Sequence, residues 1–217
     1  GNGSMPELIS IMLPSMGRPE QLRKALTRIR ETTQSHLVEV LVAIDADEES
    51  AMLAEPLVDS ISYSETRRGV TRAFADLLQM SKGDYLVPLG DDLMPHESWL
   101  DAALVCHRDT LNGYGLVGLN DGRPDKDTAT IFLCNRKFCI EQLNGCIAIP
   151  HYGHYYSDTE VSRRAQRAKA YAWCDEARID HEHVPDGLFF GRNVAADEAM
   201  FWQRKAAGFP DDFARVI

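Results

Sequence analysis

The stretch at residues 82–95, K-G-D-Y-L-V-P-L-G-D-D-L-M-P, constrains this chain more than any other. Tyr85, Leu86, Val87 and Leu89 form a short apolar run with a turn signal on each side. Lys82-Gly83 opens it and the carboxylate pair Asp91-Asp92 closes it. A run bounded in this way reads as a buried strand. In open α/β sheets, ligands bind beyond the carboxyl ends of the strands. Two adjacent carboxylates delivered there repel each other unless a cation or a proton sits between them. The plainer reading is a polar turn followed by a helix cap, with His96 or Glu97 opening the helix.

The rest of the first half repeats the pattern. Residues 8–13 read as a strand, followed by the loop 14–19. Pro19 suits a first helical position, and Leu22, Ala25, Leu26 and Ile29 fall at helical spacing, so a helix is predicted over 19–32. A second strand over 37–44 ends in Asp45-Ala46-Asp47. The acidic segment 48–59 is expected to hold a short helix, and 61–64 a third strand. Val70, Ala73, Phe74, Leu77 and Leu78 form one helical stripe over 69–80. Trp99, Leu100, Ala103 and Leu104 mark a further helix. This alternation predicts an α/β fold, a mostly parallel central sheet flanked by helices in a Rossmann-like arrangement. The strand ends at Leu13, Ile44 and Leu89 should open on one cleft.

The second half is less regular. Strands are expected over 115–119 and 128–133, separated by the polar loop 120–127, with a short helix over 136–143. Residues 151–156, H-Y-G-H-Y-Y, form an aromatic loop. A helix is predicted from Thr159 to Trp173, then a strand over 177–180 leading into His181-Glu182-His183, and a last helix over 195–206. No repeat or linker divides the chain, so residues 5–217 are expected to be one domain, with Gly1 to Ser4 an expression scar ahead of Met5.

Composition excludes several classes. A net charge of −10 argues against generic phosphate neutralisation on nucleic acid. No apolar run approaches the roughly 20 residues needed to span a bilayer, and a cytoplasmic location is expected. Five cysteines without a C-x-x-C pair argue against a zinc site or a disulfide framework.

Acids and arginines at the strand ends carry the candidate chemistry. Ser15 and Arg18 follow the first strand, Asp45 the second, and Asp91-Asp92 the later one. Arg18, with Arg67, Arg68 and Arg72 near the next helix, is suited to a diphosphate, since arginine presents a fork of donors. For any single arginine a solvated helix face is the competing reading. Ser157-x-x-Glu160 fits a capping box ahead of a helix. The basic run Arg163, Arg164, Arg167 and Lys169 reads as a solvated face or as a patch for an anionic acceptor.

In these motifs the chain resembles GT-A fold glycosyltransferases of the family 2 type, inverting and metal-dependent. The resemblance rests on P-S-M-G-R-P-E-Q-L-R-K-A-L, on Ala43-Ile44-Asp45-Ala46-Asp47, on Thr71-Arg72-Ala73-Phe74, on the 82–95 stretch, similar to a D-x-D region, and on Y-S-D-T-E-V-S-R-R-A. It implies a nucleotide-binding half over about 5–95 and an acceptor half over about 96–217. Pro14, Ser15, Arg18, Asp45, Arg72 and Asp91 would then bind the donor, which is expected to be a UDP-sugar. Asp92 would hold Mn²⁺ or Mg²⁺ on the donor's diphosphate, with His181, or alternatively His183, completing the site. Asp158 would be the general base, with Ser157 capping the helix in its place. Asp45, Asp92 and Asp158 are expected to gather around one ion at one rim of the sheet. Gly90 precedes the acid pair where a stricter D-x-D would place an acid, and it supplies no ligand. His151, Tyr152, His154, Tyr155 and Tyr156 would form an acceptor platform, or pack as an ordinary loop. The acceptor itself stays open among a glycan, a protein, a small molecule and a modified DNA base. A partner protein or a homodimer would supply the regions that fix it. The competing functions are a sugar-nucleotide nucleotidyltransferase and a non-catalytic nucleotide-sugar-binding module.

Overall fold

The computed structural model describes residues 7–182 and 193–217. Its sheet has the order β3-β2-β1-β4-β7-β6-β8-β5. The strands are β1 (Ile9–Ser15), β2 (Val38–Asp45), β3 (Ser60–Ser64), β4 (Tyr85–Pro88), β5 (Leu93–Pro95), β6 (Leu116–Asn120), β7 (Phe132–Asn135) and β8 (Tyr171–His181). The pairs β1–β2, β1–β4, β2–β3 and β6–β8 are parallel. β7 runs antiparallel between β4 and β6, and β5 antiparallel along β8. The carboxyl ends of β1, β2 and β4 therefore share one rim, as the alternation of elements predicts.

Side-chain alternation along the strands builds two cores. Ile9, Ile11 and Leu13 of β1 point to one face, with Val40, Val42 and Ile44 of β2. Helices α1 (Pro19–Thr32) and α4 (Trp99–Leu111) cover that face through Leu22, Leu26, Ile29, Trp99 and Leu100. Met12, Leu41, Ala43 and Leu86 point the other way, beneath α3 (Val70–Met80), α5 (Arg136–Gln142), α6 (Ser157–Arg167) and α7 (Val194–Ala206). A short helix, α2 (Glu48–Ala54), precedes a 3-10 turn. Each fully buried Leu, Ile or Phe contributes about 1.5–3 kcal/mol of transfer free energy. The one polar side-chain atom of Trp99, fully buried, is satisfied by donating to Thr32 Oγ1 at 3.0 Å.

Three readings from sequence are corrected. The helix expected to reach Trp173 ends at Arg167, because Lys169 takes the left-handed conformation at φ 54°. That turn usually carries glycine or asparagine, so its lysine hides the stop. The strand expected over 177–180 is the end of the 11-residue β8. The strand expected over 128–133 is displaced to Phe132–Asn135. The three-residue β5 has no counterpart among the expected strands.

Candidate functional site

Strand register brings the first pair of groups together. β6 and β8 run in step until Leu119↔Cys174, after which Asn120 pairs with Arg178. This irregularity redirects the end of β8 onto β5, where His181 lies opposite Leu93. The residue before Leu93 is Asp92, and Glu182 N donates to Asp92 O at 2.8 Å. Asp92 Oδ2 and His181 Nε2 are consequently 2.7 Å apart. Burial opposes the Asp92 carboxylate, but the hydrogen bond and charge of His181, with the charge of Arg18, outweigh it and hold its carboxyl below the ordinary value. The same hydrogen bond raises the His181 imidazole against its own burial. Gly90 keeps this geometry open, since a Cβ there would stand 2.8 Å from Asp92 Oδ1.

A carboxylate beside an imidazole is a donor set that accepts Mn²⁺ readily and Mg²⁺ less so. Among the described residues no group of three or more His, Cys, Asp or Glu side chains converges to hold an ion. Two protein ligands suffice where phosphate oxygens and water complete the shell, as is usual for ions bound with nucleotides. The pair therefore fits a divalent ion shared with a diphosphate.

Asp91 and Asp92 point to different partners. Asp91 is buried, accepting from Ser15 Oγ at 2.8 Å and from Arg18 Nη1 at 3.0 Å. It thereby ties the loop after β1 to the end of β4. Asp45, at the end of β2, accepts from Arg68 Nε at 2.7 Å and from the backbone N–H groups of Arg68 and Gly69 at 2.7 and 3.1 Å. Arg68 also donates to Ser62, Asp76 and the Ile44 carbonyl. Asp45 and Arg68 together fix the entry to α3.

Asp158 sits in the first turn of α6. Its Oδ1 accepts from Thr159 N at 2.8 Å. Burial raises its carboxyl above the ordinary value, opposed by the Thr159 hydrogen bonds and by the charge of Arg123. The charge of Arg123 also opposes protonation of His181. A base for a hydroxyl gains from a carboxylate more basic than an exposed one, and burial shifts Asp158 in that direction.

Residues 10–105 match the family described as Glycosyl transferase family 2. Over that stretch the chain is similar to the family, and its fold is the GT-A fold. No curated protein sequence matches it. Among solved structures it is similar to a mannosyltransferase, PcManGT from Pyrobaculum calidifontis, in complex with GDP-Man and Mn²⁺, with a TM-score of 0.67 at 15% identity. That match covers 85% of this chain and 59% of the other. The 1–349 region of TarS from S. aureus aligns with a TM-score of 0.61 at 12% identity, over 80% of this chain and 60% of the other. A glucosyl-3-phosphoglycerate synthase from Mycobacterium tuberculosis, in complex with Mn²⁺, UDP and phosphoglyceric acid, gives 0.64 at 17% identity, over 95% and 80%. The chain thus spans about three-fifths of the first two structures. At these identities the likeness is one of fold.

On this GT-A sheet, Pro14 and Ser15 end β1 and Arg18 immediately precedes α1. Arg72 lies on α3 with its side chain 74% exposed, 3.4 Å from Asp76. Asp45, Asp92 and Asp158 do not converge on one ion among the described residues, because Asp45 is taken up by Arg68 and two backbone amides. His183 lies outside the described residues. The aromatic loop divides. Tyr152 is a core residue, 2% exposed, with its hydroxyl on Glu160 at 2.7 Å, which removes it from an acceptor platform. His151 pairs with Asp212 at 2.9 Å. His154 and Tyr155 make an edge contact, and Tyr156 packs on Phe201. Asp197 of α7 holds this loop by accepting from the N–H groups of Gly153, His154 and Tyr155 at 2.8, 2.9 and 2.8 Å.

The capping box is not formed. Ser157 is the first residue of α6, and its hydroxyl accepts from Ile149 N at 2.8 Å. Glu160 is instead fully buried between Arg164 and Arg204. Arg164 is therefore unavailable to an anionic acceptor. Sequence reading missed Asp197, Arg204, Asp121 and Arg123, which act through contacts with residues distant along the chain or in an unpatterned loop.

Proposed function

We propose that the chain is a glycosyltransferase domain that moves a sugar from a nucleotide-diphosphate donor to an acceptor hydroxyl with inversion. The observation that carries this reading is the Asp92–His181 contact of 2.7 Å. The family match over residues 10–105 supports it. Donors in this reading lie on the 5–95 half, at the rim where β1, β2 and β4 end. Ser15, Arg18, Asp45 and Asp91 hold that rim in shape, and Arg72 is exposed beside it for the diphosphate. Acceptors enter from the 96–217 half, beside His154, Tyr155 and Tyr156.

Asp92 and His181 would hold Mn²⁺ or Mg²⁺, which neutralises charge on a departing nucleoside diphosphate. Asp158 accepts the proton of the acceptor hydroxyl as that oxygen bonds to the anomeric carbon. The bond from that carbon to the diphosphate oxygen breaks on the opposite face, and its electron pair leaves with the nucleotide. General-base assistance of this kind contributes about 10²–10⁴-fold in rate.

The test is a panel of UDP-, GDP- and dTDP-sugars with Mn²⁺, scored for binding and for donor hydrolysis, with the UDP-sugars expected to respond. Folded protein that neither binds nor hydrolyses any donor removes the proposal. Donor binding without turnover in the wild type favours a non-catalytic sugar-nucleotide module.

A further inference from the structure

The loop between β6 and β7 carries Arg123 and is fastened at two points. Its first anchor is β8, where Asn120 Nδ2 donates to Asp175 O at 2.9 Å. Its second is α6, where Ala129 N donates to Ser162 Oγ at 2.9 Å and Arg163 and Gln166 both donate to Asp127 O. Ser162 Oγ in turn donates to Asp158 O at 2.8 Å. The loop is thus fastened between the strand that carries His181 and the first turn that carries Asp158.

Within this loop Asp121 orients Arg123. The Asp121 side chain is 2% exposed and accepts from Thr130 Oγ1 at 2.5 Å and from Arg123 N at 3.1 Å. Arg123 Nε lies 3.2 Å from Asp121 Oδ2, while the arginine side chain stays 56% exposed. Among the described residues this guanidinium makes that ion contact and donates no side-chain hydrogen bond. A buried carboxylate therefore fixes an exposed cation on a loop fastened to both β8 and α6, in a chain of net charge −10. Guanidinium prefers phosphate and carboxylate oxygens, which it binds through paired donors.

We propose that Arg123 is an anion-binding residue of this site, receiving a substrate phosphate or carboxylate between Asp158 and the Asp92–His181 pair. The inference rests on the transferase reading above. Two substrates can carry the anion, the diphosphate of the donor or an acidic group on the acceptor.

Wild type, Arg123→Gln and Arg123→Lys are titrated with UDP and Mn²⁺ by calorimetry, with UMP as a reference. Inorganic phosphate is then titrated onto each UDP-saturated protein. Loss of a charged hydrogen bond should weaken one arm of Arg123→Gln about tenfold or more, with partial recovery in Arg123→Lys. Weakened UDP binding with UMP binding unchanged assigns the anion to the donor. Weakened phosphate binding alone assigns it to the acceptor. Arg123→Gln that matches wild type within about twofold in both arms overturns the proposal while leaving the transferase reading intact. Wild type that binds no nucleotide overturns both.

Discussion

Glu160→Ala is the substitution whose cost the structure fixes best. Glu160 is fully buried and accepts from Arg164 Nε at 3.0 Å, from Arg204 Nε and Nη2 at 2.8 and 2.9 Å, and from the Tyr152 hydroxyl at 2.7 Å. Arg164 and Arg204 are themselves 1% and 3% exposed. Removing one member of a buried ion cluster leaves charge uncompensated and costs about 3–5 kcal/mol. Here Asp211 and Asp212 still hold the two guanidinium groups, at 2.6 and 2.8 Å, which favours the lower half of that range. At about 2–4 °C per kcal/mol for a chain of this size, the melting temperature should fall by about 6–16 °C. Thermal unfolding followed by circular dichroism measures it. The sign with pH is fixed too. Burial raises the Glu160 carboxyl, but the hydrogen bonds from Arg204, Tyr152 and Arg164 outweigh it, so the folded value lies below the ordinary one. Its contribution is complete above the ordinary value of about 4.3 and fades as pH falls through the folded one. The gap between wild type and Glu160→Ala should therefore narrow in acid. A melting temperature within about 2 °C of wild type at neutral pH refutes the reasoning.

Other consequences follow from the site. Asp197→Ala removes the acceptor of three backbone N–H groups; it should raise the acceptor KM severalfold while donor affinity, measured by calorimetry, stays unchanged. The raised Asp158 carboxyl must be ionised to act, so kcat/KM should fall on the acid side through a value above the ordinary Asp range of about 3.9. Because Arg123 lowers that carboxyl, Arg123→Gln should move this limb to higher pH, which a pH–rate profile reads directly.

The first half was legible because its signals are local. Pro19 opens α1 where its fixed φ suits a first turn, and the apolar spacing carries the helix to Thr32. The acids at the ends of β2 and β4 reach one rim because parallel pairing leaves no alternative. The second half was less legible because it is built from distant contacts. The 2.7 Å approach of His181 to Asp92 depends on an irregularity in β8 and on the three-residue β5, neither of which leaves a periodic trace. Glu160 has the spacing of a capping residue, but Arg204, 44 positions away, draws it inward. Tyr156 and Lys169 adopt left-handed conformations at the two ends of α6 without a glycine to announce either turn.

The most direct measurement is Mn²⁺ binding in the presence of UDP, followed by electron paramagnetic resonance in wild type and three variants. Asp92→Asn and His181→Ala should each weaken Mn²⁺ by about tenfold or more. Asp158→Asn should bind Mn²⁺ and UDP as wild type does and lose about 10²–10⁴-fold in transfer rate. Unaltered Mn²⁺ affinity in both Asp92→Asn and His181→Ala, or undiminished turnover in Asp158→Asn, contradicts the account.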